Sequence, residues 1–161
     1  MKIDNPVVQA NEKVYYSPSK IGFFIGIISF FVVSFLSFGG SCCVTIFASV
    51  GIGALAGWST ARYSNIGIWD SASEFGGKSG RIAGVFVFLG HIAGSILPSL
   101  LFRMGGVVGV FSSDVANSAA LNSAIIRSGI INGIIGFVIL WITASFVSSK
   151  VYENDEKDKR N

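Results

Sequence analysis

Apolar residues gather in four long stretches of the chain, and polar and charged residues separate them. The stretches span residues 21–38, 42–58, 82–102 and 125–147, and a single charged residue, Arg127, lies near the start of the last one. A helix that crosses a bilayer needs roughly 20 apolar residues. The stretches do not alternate as barrel strands do, and open strand edges are excluded from lipid. The pattern therefore predicts an all-α integral membrane protein, a bundle of four membrane-spanning helices.

Composition supports this interpretation over that of a soluble domain. Hydrophobic residues make up 51% of the 161-residue chain and charged residues 13%, whereas charged residues reach about 25% in an average soluble domain. The mean hydropathy is +0.64. The net charge of +3 is too small and too dispersed to indicate nucleic-acid binding.

The basic residues predict the orientation of the four helices. If the chain crosses the membrane four times, one side holds all but two of the twelve Lys and Arg residues. That side holds Lys2, Lys13, Lys20, Arg62, Lys78, Arg81, Lys150, Lys157, Lys159 and Arg160, and the other holds Arg103 and Arg127. The positive-inside rule then places both termini in the cytoplasm. We expect a cytoplasmic arm over residues 1–20, the bundle over 21–149, and a charged cytoplasmic tail over 150–161, disordered from Glu153 onward.

Local signals predict two helix starts. Ser17 followed by Pro18 fits an N-cap with proline at the first helical position. Ser71 and Glu74 fit a capping box. We expect the short helical turn after Ser71 to be broken by Gly76 and Gly77.

Small residues recur every fourth position within the apolar stretches, which predicts close approach of helix backbones. The clearest ridge consists of Thr45, Ser49, Gly53, Gly57 and Ala61. Further small pairs are Gly90 with Gly94 and Gly129 with Gly133. The ridges suit either packing within this bundle or contacts with a second membrane subunit, and their number favours some contact with a partner.

His91, the sole histidine, lies near the middle of the third stretch. Gly84, Gly94 and Ser95 share its helical face, so we expect it to point toward protein. An ionisable group in a membrane helix suggests function, here ligation of haem or a chlorophyll-type pigment, or a proton relay. The simpler alternative is a neutral imidazole bonded to a backbone carbonyl or to Asn132.

Asn132 lies on one stripe with Gly129 and Gly136, where an amide commonly bonds across helices. A pore-lining role is the alternative, and Pro98, which should kink the third helix, is compatible with it. We favour a structural role for Asn132 in helix packing.

We find no arrangement of residues that indicates catalysis. Ser/His/Asp sets, paired carboxylates and dinucleotide-binding glycine loops are missing from the pattern. The adjacent Cys42 and Cys43 lack the spacing of a redox or zinc motif and are expected to pack near the hairpin turn. We therefore predict a protein that is not an enzyme and holds no metal.

Residues 42–96 resemble small multi-pass bacterial membrane proteins of unknown function. In these a Cys-rich start opens a Gly/Ala-rich span that ends near an arginine, and a short loop leads to a second such span. The matching residues are Cys42, Cys43, Gly53, Gly57, Arg62, Glu74, Gly77, Gly80 and Gly84. The resemblance implies a bacterial cytoplasmic membrane and gives no indication of mechanism.

Three hypotheses for function follow. The first is a non-catalytic accessory or scaffolding subunit of a larger membrane complex, in contact with lipid and with other subunits or copies of itself. The second is a small self-associating channel or transporter. The third is a pigment- or haem-binding subunit that uses His91.

Overall fold

The computed structural model describes residues 15–38, 42–64, 71–105 and 119–158, which form four helices. These are α1 (Pro18–Phe38), α2 (Cys42–Tyr63), α3 (Ala72–Gly105) and α4 (Ala119–Asp158). Within the described residues, three stretches are long and apolar enough to cross a membrane, namely Pro18–Ser37, Ala72–Leu97 and Ile126–Asp158. The all-helical class is confirmed. A membrane crossing by α2, the second of the four predicted spans, stays a prediction.

Two helix starts lie where the capping signals predict them. Ser17 precedes α1, and the Lys20 amide donates to the Ser17 carbonyl at 3.0 Å and approaches its Oγ at 3.4 Å. Ser71 precedes α3, and its carbonyl accepts from the amides of Glu74 and Phe75 at 2.9 and 3.1 Å. Both helices therefore begin directly after a serine.

The predicted break at Gly76 and Gly77 is wrong, because α3 runs without interruption from Ala72 to Gly105. Both glycines are buried against α4. A methyl group on Gly76 would collide with Ser148, and one on Gly77 would lie 2.8 Å from the Ser145 Oγ. These positions require glycine because α3 and α4 pack closely there, and not because the chain turns.

The predicted disorder of the charged tail is also wrong for the described part, since α4 continues to Asp158. Glu153 accepts hydrogen bonds from Lys150 at 2.9 Å and from Lys157 at 3.0 Å, at helical spacing. Arg62 of α2 approaches the Asp155 carboxylate at 3.5 Å. These contacts support helix where composition alone indicates a solvated coil.

Contacts between the helices show their relative directions. The Tyr16 amide donates to the Tyr63 carbonyl at 2.7 Å, so α1 begins beside the end of α2. The Ser148 Oγ donates to the Ala72 carbonyl at 2.8 Å, so α3 begins beside the last part of α4. The helices therefore alternate in direction. We call the end that holds both described chain termini the terminal end.

The central pair is α3 with α4, while α1 packs on α3 and α2 packs on α4. In the described residues α1 and α4 do not touch. The apolar core is small and consists of Val33, Ala83, Val87 and Leu140. Large apolar side chains face outward instead, most clearly on α1, where Phe35 is 81% exposed. An apolar exterior around a partly polar interior suits a lipid environment.

Candidate functional site

His91 lies on α3 with α1 on one side and α4 on the other, and the residue is only 2% exposed. Its Nδ1 forms a hydrogen bond of 2.9 Å with the Ser37 Oγ of α1. The expected orientation toward protein is confirmed. The expected partner is wrong, because the ring bonds to a serine and neither to a backbone carbonyl nor to Asn132.

The other ring nitrogen faces α4 and α2. The Nε2 of His91 is buried without a hydrogen-bond partner among the described residues. A methyl group on Gly136 would lie 3.2 Å from this Nε2 and 3.0 Å from the Ser49 Oγ. Gly136 therefore provides the space that the edge of the imidazole occupies between α3 and α4.

This packing does not fit a haem or a chlorophyll-type pigment at His91. A macrocycle bound through Nε2 would need the volume that the α4 backbone fills at Gly136. Among the described residues, no three His, Cys, Asp or Glu side chains come close enough to hold a metal ion together. The geometry supports a hydrogen-bonded imidazole that joins α3 to α1. The Nε2 of this ring is buried and unpaired among the described residues, which costs about 1–3 kcal/mol.

The glycines on either side of His91 bring α1 and α3 into backbone contact. A methyl group on Gly90 would lie 2.9 Å from the Phe30 carbonyl oxygen, and one on Gly94 would collide with the Ser34 carbonyl. The Ser34 Oγ in turn donates to the Gly90 carbonyl at 3.2 Å. The histidine thus lies within a tight seam that serine hydroxyls reinforce.

The predicted ridge on α2 contacts α4 of the same chain. A methyl group on Gly53 would lie 2.8 Å from the Leu140 carbonyl oxygen, and one on Gly57 would collide with the Ala144 carbonyl. Ser49 is fully buried and Ala61 partly buried. The fifth member, Thr45, is outside the residues whose side chains are described.

Gly129 and Gly133 form the corresponding contact between α4 and α3. A methyl group on Gly129 would lie 2.6 Å from the Ser95 Oγ, and one on Gly133 would lie 2.7 Å from the ring of Phe88. Asn132 is half-buried, and its amide nitrogen approaches the Ser128 Oγ of its own helix at 3.5 Å.

A second polar cluster lies nearer the terminal end. The Thr60 Oγ1 of α2 lies 2.8 Å from the Ser79 Oγ of α3, to which it donates. The same Thr60 oxygen lies 2.7 Å from the Ala56 carbonyl oxygen of its own helix. Both side chains are fully buried. The cluster ties α2 to α3, as the Ser148 bond ties α4 to α3.

Several of these residues escape prediction from the sequence. Ser34 and Ser37 are ordinary serines in the first apolar stretch, and periodicity does not say which helix they meet. One pattern in the sequence could identify them, because the small polar residues of α1 occupy a different face from its large apolar residues. Ser29, Ser34 and Ser37 therefore mark its inner face.

Comparisons with protein families, with curated proteins and with solved structures find no match to this chain.

Proposed function

We propose that the chain is an integral membrane protein in which all four helices cross the bilayer, with both termini in the cytoplasm of a bacterial cell. Support comes from the outward-facing apolar residues and from the charges at the terminal end. Lys20, Arg62, Lys78, Arg81, Lys150 and Lys157 lie near that end, and Arg127 lies toward the other. This asymmetry follows the positive-inside rule.

Aromatic residues at the terminal end support the same placement. Tyr15, Tyr16, Trp58 and Tyr63 are each about half exposed there. Trp58 and Tyr63 also meet edge to face, with their ring centroids 6.1 Å apart. Exposed Trp and Tyr are typical of the zone where lipid headgroups meet the hydrocarbon.

Within this membrane we propose a non-catalytic role as an accessory or scaffolding subunit. The chain's own helices fill the small-residue ridges, so these ridges do not supply the contact with a partner that their number suggests. The observation that carries the proposal is instead the row of large, exposed apolar side chains on α1. Contacts with another subunit would then use the outer face of α1, where large side chains project at helical spacing. They are Phe24, Ile28, Phe31 and Phe35, which are 64–81% exposed.

Purification in a mild detergent, combined with site-specific photo-crosslinking, tests the accessory role. We expect a crosslinked protein adduct when a photoreactive residue replaces Phe31, and a weaker adduct at Ile142, an equally exposed position on α4. A strictly monomeric protein with no adduct at Phe31 would remove the proposal.

A self-associating channel or transporter is the second candidate, and the polar groups that converge on His91 from different helices favour it. The test is ion or proton flux in liposomes that contain the purified protein. A flux that changes in Asn132→Ala or His91→Asn is the expected result for this candidate. Liposomes that stay tight count against it.

A further inference from the structure

The seam between α3 and α4 carries an exposed patch of cationic and aromatic side chains on its outer side. We define the seam patch as Lys78, Arg81, Trp141 and Ser145. The Arg81 guanidinium carbon lies 5.8 Å from the centre of the Trp141 ring. Arg81 and Lys78 are both exposed and lie one turn apart on α3, so they present their charges in the same direction.

Gly77 lets the indole lie in the seam. A methyl group at Gly77 would lie 3.1 Å from the Trp141 Nε1 and 2.8 Å from the Ser145 Oγ. The indole can therefore pack against the α3 backbone while 40% of the residue stays exposed. Arg81 lies over the same ring.

In their pairing, the two cations of the seam patch resemble Lys20 and differ from the other three described basic residues at the terminal end. Arg62, Lys150 and Lys157 each approach a carboxylate of α4. Among the described residues, no carboxylate lies within ion-pair distance of Lys78 or Arg81. Glu74, the nearest acid along α3, is exposed and forms no ion pair with either.

Arg81 has no carboxylate partner among the described residues, and its depth in the proposed membrane indicates which anion can serve as its counter-ion. The apolar part of α3 begins at the residue after Arg81, and Trp141 lies inside the apolar part of α4. A cation at this depth lies where the phosphates of the inner leaflet meet the hydrocarbon, and lipid phosphate is the anion available there. Guanidinium offers several N–H donors in a plane that matches phosphate oxygens.

We propose that the seam patch binds the phosphate of an anionic phospholipid headgroup, with Arg81 as the main donor, Lys78 as a second cation and Trp141 as the surface on which Arg81 rests. This inference rests on the proposed membrane insertion. It adds a lipid-binding site on the cytoplasmic side of the seam between α3 and α4.

The test uses the full-length protein, after alkaline carbonate extraction has shown separately whether it is membrane-inserted. Purified protein in a neutral detergent is titrated with phosphatidylglycerol or phosphatidylcholine, and bound lipid is counted by native mass spectrometry. We expect phosphatidylglycerol to bind in preference. Arg81→Gln should weaken its binding about fivefold, since each basic residue near an anionic surface contributes about 1 kcal/mol.

Arg62→Gln is the matched control, because it removes the same charge from the same end at an exposed arginine that already has a carboxylate partner. We expect it to leave lipid binding within twofold of the unaltered protein, and Arg81→Lys to retain part of the affinity. Circular dichroism checks that each variant is folded.

Three results would overturn the proposal. The first is equal binding of both lipids, and the second is an equal loss in Arg81→Gln and Arg62→Gln, which would mean general attraction to charge. The third is inorganic phosphate binding to the same site as tightly as the lipid, since the ligand would then be a soluble anion. Extraction of the protein by carbonate would instead contradict the proposed membrane insertion itself.

Discussion

Two glycines of α2 differ sharply in their surroundings, and this difference gives a direct test of the packing. Gly57 lies against α4, where a methyl group would collide with the Ala144 carbonyl and lie 3.0 Å from the Ser148 amide nitrogen. A methyl group on Gly51 would meet nothing within 4 Å. The substitutions Gly57→Ala and Gly51→Ala therefore add the same atom to the same helix in opposite environments.

The two substitutions should change the free energy of unfolding in opposite directions. Alanine favours helix over glycine by about 0.8–1.0 kcal/mol, and Gly51→Ala should gain most of this. At Gly57 the added methyl group meets backbone atoms, which cannot rotate away, and overpacking costs about 1–3 kcal/mol. After the gain in helix propensity, we expect Gly57→Ala to be destabilised by about 1 kcal/mol, so that the two variants differ by about 2 kcal/mol.

Reversible unfolding in mixed micelles measures this difference. The purified variants are titrated with a denaturing detergent, and loss of helix is followed by far-ultraviolet circular dichroism. Equal stabilities for Gly57→Ala and Gly51→Ala would refute the close approach of α2 to α4. A destabilised Gly51→Ala variant would refute the open space around that position.

Other contacts give smaller expected changes. Ser37→Ala removes the hydrogen bond of the buried histidine ring and should lower the unfolding free energy by about 0.6–1.7 kcal/mol, which an unchanged unfolding curve would contradict. Ser148→Ala releases the first carbonyl of α3 and should speed hydrogen exchange in its first turn, whereas exchange at the unaltered rate would exclude this anchor. A double-mutant cycle on Arg62 and Asp155 should give at most about 1 kcal/mol, falling with added salt, and a larger, salt-independent coupling would contradict the exposed placement of the pair.

Much of the architecture follows from short-range signals in the sequence. The long apolar stretches predict α1 to α4. Ser17 with Pro18 predicts the start of α1, because a missing amide and a capping hydroxyl act locally. The spacing of Ser49, Gly53 and Gly57 predicts a close-packing face. Periodicity identifies such a face but not the helix that packs against it. Only the structure shows that this helix is α4.

The wrong predictions share a physical origin. Gly76 and Gly77 have a low intrinsic helix propensity, yet α4 packs so closely on them that a larger residue would not fit. The tail of α4 is rich in charge, yet its charges pair at helical spacing and with Arg62. In each case contacts override an intrinsic preference: contacts between helices at the glycines, and both local ion pairs and the contact with Arg62 in the tail. Ser37 lies 54 residues from His91 along the chain, so local sequence patterns do not identify this hydrogen-bond partner.

Cysteine labelling from either side of the membrane tests the central claim most directly. In a background with Cys42 and Cys43 replaced by alanine, single cysteines replace Tyr15, Asn154 and Ser123, all at exposed positions. A membrane-impermeant maleimide should modify the first two in inside-out vesicles only, and the third in intact spheroplasts. Modification of Tyr15→Cys and Asn154→Cys from opposite sides would contradict a four-helix crossing with both termini in the cytoplasm.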